Sequence, residues 1–170
     1  MRYRMIATAA GLFGLALLWP GTASAQIQHY DVTVHGMVCN QCAYGSEQVF
    51  LRTDGVDRVD VDLYNGSVVV YPSETAPILP ATVAKKIIDE GVSVERIEAV
   101  VRGAIVRRGE GMVLRVAEAN LEFPLAVASE EASLTTEVNV DLTVRFEGWE
   151  EKKEGSAETL RAVVLARVGQ

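Results

Sequence analysis

The residue pattern predicts an α+β fold made of two unlike parts. Three observations carry this: a β-α-β-β-α-β rhythm of apolar alternation up to about residue 98, turn signals between its elements, and an all-strand texture beyond it. Tyr30, Val32 and Val34 alternate with Asp31, Thr33 and His35, the pattern of a half-buried strand. Gly36 turns the chain into a loop, and a helix is predicted from about Gln41 to Arg52 with Val49 and Phe50 inward. Asp54-Gly55 is a turn signal. Val59, Val61 and Leu63 make a second strand whose outer face carries Asp60, Asp62 and Tyr64. Asn65-Gly66 is the strongest short hairpin signal, and Ser67 to Tyr71 returns as a third strand. Pro72, Pro77 and Pro80 punctuate a loop, after which Val83, Ala84, Ile87 and Ile88 line one face of a helix that Gly91 terminates. A fourth strand starts at Val92, which completes the ferredoxin-like split arrangement.

From about Ala99 every element reads as strand. Ala99–Arg107, Met112–Ala117, Asn120–Val127, Val138–Phe146 and Thr159–Val168 are separated by turn-forming or charged stretches, the longest being Glu147–Glu158. Pro124 suits an edge or bulge. Residues 129–136 are mixed and fit a short helix or a loop. In the fourth of these strands Val138, Val140, Leu142, Val144 and Phe146 share one side. Five strands in this span predict a small OB-like five-stranded barrel. The organisation is therefore a leader over residues 1–25, a ferredoxin-like domain over 26–98 and a β-rich domain over 99–170, with a soft boundary because the strands on either side of it nearly abut.

The leader is read from Arg2 and Arg4, an apolar run from Ile6 to Trp19, the break at Pro20-Gly21, and Ala23-Ser24-Ala25. That is a secretory signal with cleavage after Ala25, and the run is too short to span a bilayer. A periplasmic or secreted product is expected, touching the membrane only during export. The chain of 170 residues carries 16 basic and 23 acidic side chains, and losing Arg2 and Arg4 makes it more acidic still. Nucleic acid is excluded as a partner on this balance, because phosphate binding needs clustered Lys and Arg.

The two cysteines stand three apart, in Gly36-Met37-Val38-Cys39-Asn40-Gln41-Cys42. In an exported chain such a pair is a soft-metal site, a redox switch or a disulfide. A loop this small gains little entropy from a crosslink, so a purely structural disulfide explains it poorly. Two thiolates suit Cu(I) or Hg(II). With Cys42 in the first helical turn, the helix dipole favours a negative sulfur.

Gly36-Met37-x-Cys39-x-x-Cys42 between a strand and a helix, followed by twelve residues to Gly55-Val56 and by Val59-x-Val61-x-Leu63, resembles the heavy-metal-associated domain. The resemblance runs from about Gln28 to Glu98. It implies reversible binding of a soft ion, Cu(I) or Hg(II), by Cys39 and Cys42, with no catalysis. It also implies transfer to a protein partner such as a membrane metal transporter or an envelope protein. Met37 is implied to pack beneath the loop. Ser46 and Thr53 stand where the family buries aliphatic residues, Gly45 lies inside the first helix, and Val92 stands where many relatives carry an aromatic.

Other candidates carry less chemistry. His29 and His35 read as surface residues, and Tyr44 sits within a turn of Cys42. Asp54, Asp57, Asp60 and Asp62 read as a solvated acidic face. Phe123, Phe146 and Trp149 are the aromatics an OB-like surface would use for stacking. Two other functions stay open: thiol–disulfide exchange by the same cysteines, without the topology or flanking residues of a thioredoxin, and an envelope-interaction module in which the β domain is the active part.

Overall fold

A computed structural model describes residues 26–168, apart from 38, 75, 118, 128–134 and 149–159. The signal segment, Trp149 and most of the 129–136 and 147–158 stretches therefore lie outside the described residues. The first half follows the predicted order: β1 (Ile27–His35), α1 (Asn40–Leu51), β2 (Val56–Asp62), β3 (Ser67–Pro72), α2 (Pro80–Asp89) and the start of β4 (Ser93–Arg108). These strands lie in the order β2-β3-β1-β4, every pair antiparallel. Tyr30, Val32, Val34, Val68 and Val70 turn inward, as alternation requires. α1 lies against β2, and α2 against β4.

Local chemistry sets the helix ends. Pro80 opens α2, where its missing N–H costs nothing. The helix closes as the Gly91 N–H donates to the Ile88 carbonyl at 2.9 Å and the Val92 N–H to the Ile87 carbonyl at 3.3 Å. Val83, Ala84 and Ile87 are buried, but Ile88 is exposed. One residue beyond Ile87, it has turned about a quarter of the helix circumference away from the sheet.

β4 is the hinge of the architecture. It runs for 16 residues without interruption across the boundary expected at 98/99. Along one edge it pairs first with β1, up to Val101, and then with β5 (Gly111–Val116), from Ala104. β7 (Glu137–Glu147) pairs along the other edge, from Ile97 to Ile105. β6 (Leu121–Val127) follows β5 antiparallel, β8 (Arg161–Arg167) runs parallel to β6, and β8 pairs with β7. The sheet thus closes into a five-stranded barrel β4-β5-β6-β8-β7. Pro124 is exposed and directly precedes the residues that pair with β8, so its absent N–H lies outside that ladder. Gly103 sits where β4 passes from β1 to β5. A Cβ there would lie 2.6 Å from the Arg115 carbonyl oxygen.

Two expectations for the second half are corrected. Val138 is 70% exposed, while Val140, Leu142, Val144 and Phe146 are buried. Between Gly103↔Val140 and Ile105↔Glu137 the β7 strand holds one residue more than β4, and Asn139 takes φ 57°. This bulge reverses the alternation before Val140. Phe123 and Phe146 are core residues rather than a stacking surface: their rings meet edge to face at 5.0 Å. Phe146 also lies 6.1 Å from Tyr30 of β1, so one apolar core runs through both halves.

Candidate metal centre

The loop after β1 is shaped by Gly36 and anchored by Met37. Gly36 takes φ 92°, which other residues rarely adopt, and Met37 is buried in the main core. Cys39 then stands as the N-cap of α1 in extended conformation. Its carbonyl accepts from the N–H groups of Cys42 at 3.0 Å and Ala43 at 3.1 Å. Its Sγ accepts from the Cys42 N–H at 3.1 Å, the place usually taken by a serine or aspartate oxygen. Cys39 is exposed; Cys42 is half-buried and packs against the core. The two Cα atoms are 5.2 Å apart and the sulfurs are joined as a disulfide.

This arrangement has two chemical consequences. Both sulfurs sit at the positive end of α1, whose first turn carries no carboxylate, so thiolate is favoured once the bond is reduced. The backbone also holds them close enough to oxidise to a disulfide, a state that leaves no thiolate to bind a soft ion. Metal capture by this site therefore requires its reduced form.

The other sequence candidates lie apart from the sulfurs. His35 Nε2 meets Glu95 at 2.8 Å and His29 Nε2 meets Asp31 at 3.2 Å, both in partly exposed pairs. Among the described residues no three His, Cys, Asp or Glu side chains gather into a group able to hold a metal. Tyr44 is 57% exposed. Asp57 is exposed, Asp60 binds Arg58 at 3.1 Å, and Asp62 accepts from the Tyr64 and Asn65 N–H groups. The Asn65 side-chain amide, with that backbone bonding, holds the Asp62 carboxyl below its usual range. Ser46, one helical turn after Cys42, is buried and its Oγ has no hydrogen-bond partner among the described residues.

One element of the site escaped the sequence reading. Asn40, Ala43, Tyr44 and Glu47 form a stripe on α1 that faces Val59, Asp60, Val61 and Leu63 across an open groove of about 420 Å³. The helical spacing of the four α1 residues was its available signal. Their proximity to β2 was not readable.

A split βαββαβ unit with two cysteines at the start of its first helix defines a small ferredoxin-like domain that presents a cysteine pair at a helix N-terminus. Residues 31–93 match the model of the heavy-metal-associated domain, and this part of the chain is such a domain. Among solved structures, a CopZ metallochaperone shares 29% identity over 40% of this chain and 100% of its own, with a TM-score of 0.38. A putative copper-ion-binding protein from Bacillus anthracis str. Ames shares 26% identity over 41% of this chain and 97% of its own, with a TM-score of 0.38. The curated proteins give no match.

Proposed function

We propose that the reduced Cys39–Cys42 pair captures a soft metal ion, Cu(I) or Hg(II), outside the cytoplasmic membrane and hands it to a protein partner. The observation that carries this reading is the placement of both sulfurs at the exposed N-terminus of α1, inside the segment matched by the heavy-metal-associated domain. Two thiolates hold a soft ion while leaving its coordination sphere open to an incoming ligand, which suits transfer better than storage. Export and cleavage after Ala25 rest on the leader composition. The order β4-β5-β6-β8-β7, with its one parallel pair, supports an OB-like barrel for the second half.

Titrating residues 26–170 with Cu(I) and Hg(II), reduced and without oxygen, tests the site. Tight uptake of one ion, lost in Cys39→Ser and in Cys42→Ser, is the expected result. Serine at 39 keeps an N-cap acceptor, so that loss reports on the thiolate rather than on the helix. Uptake that survives both substitutions sinks the proposal. For export, the protein recovered from the periplasmic fraction should begin at Gln26.

A second reading is favoured by the disulfide itself: thiol–disulfide exchange at the helix N-terminus. Turnover of a disulfide substrate without metal uptake would select it.

A further inference from the structure

We propose that the groove between α1 and β2 is a docking site for an extended, basic polypeptide segment that adds as a strand to the edge of β2. The proposal deepens the transfer function above, on which its biological meaning rests, by giving the chemical class of the partner. The docking itself needs no bound ion.

Three observations converge on it. Among the described residues β2 pairs only with β3, so one side of its backbone is open to a further strand. α1 runs beside that edge, and the groove between them has half-buried apolar residues, Val61 and Leu63, in its lining. A helix flanking an open edge gives a visiting strand main-chain hydrogen bonds on one side and side-chain contacts on the other. Finally, the charge selects the visitor. Glu47 and Asp60 line the groove, and Asp57 and Asp62 continue the acidic edge. The one cation of β2, Arg58, is held by Asp60 at 3.1 Å and lies over the Tyr71 ring at 3.8 Å. With three carboxylates and one arginine β2 is net acidic, even though Asp60 meets Arg58 and Asp62 accepts from Tyr64 and Asn65. This opposes a second copy of β2 and favours lysine and arginine on the incoming strand. The groove begins at Asn40, between the two cysteines, so a docked strand holds its protein beside the sulfurs.

The probe is a capped octapeptide of alternating lysine and valine, added to metal-free, ¹⁵N-labelled residues 26–170. Amide shifts should move along Asn40–Glu47 and Val56–Leu63. Replacing lysine by glutamate in the peptide should abolish binding, and Glu47→Lys with Asp60→Lys should weaken it about tenfold. A peptide N-methylated at alternate amides should weaken binding to the unaltered protein similarly, which tests strand addition without any variant. Equal binding of the N-methylated peptide, shifts spread over the barrel, or no binding at all overturns the proposal. None of these outcomes touches metal uptake. Loss of metal uptake with intact peptide binding would instead remove the transfer function and keep the docking site.

Discussion

Ser46 shows how a single residue marks a local cost in the ferredoxin-like half. It stands where the resembled family buries an aliphatic side chain, and the structure buries it with its hydroxyl unpartnered among the described residues. A buried, unsatisfied hydroxyl costs about 1–3 kcal/mol, and alanine is also the better helix former. Ser46→Ala should therefore stabilise the protein by about 1 kcal/mol, read from urea unfolding midpoints. A loss of stability would show that the hydroxyl has a role the fold depends on. Tyr30 is the opposite case. Burial pushes its phenol up, and its O–H donates to the Ile78 carbonyl at 2.8 Å, tying β1 to the segment that enters α2. Its alternation with Asp31 made the burial legible, but nothing in the sequence pointed to a carbonyl 48 residues away.

At the scale of elements, β4 and its neighbours set two expectations. Gly103→Ala would push a Cβ against the Arg115 backbone, which cannot move without disturbing β5, so a loss of about 1–3 kcal/mol is expected in the same unfolding assay. Unchanged stability would mean that β4 and β5 can separate there. The barrel surface supplies the second expectation. Glu122 of β6 accepts from Arg108 at 2.7 Å and Arg115 at 2.9 Å, and these arginines lower its carboxyl from 4.5 to about 2. A carboxylate depressed in the folded state adds stability above its unfolded value and loses that contribution as pH falls through its folded value. Glu122→Gln should thus be less stable than the parent at pH 7, with the gap closing between pH 4.5 and about 2. Urea midpoints taken across that range check it, and a gap independent of pH would assign the loss to packing. Alternation and turn residues made most of these elements legible, because burial on one face imposes period two. The bulge at Asn139 was not legible, since one inserted residue leaves the composition of β7 unchanged while exposing Val138. The position of the cysteine loop between β1 and α1 was legible for the converse reason: its spacing, glycine and flanking elements are all local in sequence. The groove depends on α1 meeting β2 and was not.

For the whole molecule, the shared strand and shared core imply one cooperative unit. Sequence texture separates the halves near residue 98, yet β4 crosses that point unbroken, and Phe146 stands opposite Ile97 within contact range of Tyr30. Removing the Phe146 ring opens a cavity between the barrel and the β2-β3-β1 part of the sheet, at a cost of about 3–5 kcal/mol. If the halves fold as one, that cost appears everywhere. In Phe146→Ala, slow amide exchange should accelerate equally at Val32, Val68 and Val70 of the first sheet and at Leu114 and Leu142 of the barrel, all fully buried in the parent. Acceleration confined to the barrel amides, with Val68 and Val70 still protected, would show two units joined only by β4. The outcome matters for function. In a single unit, opening of the barrel carries with it β1 and the loop that β1 feeds into Cys39, whereas two independent units leave that loop in place when the barrel opens.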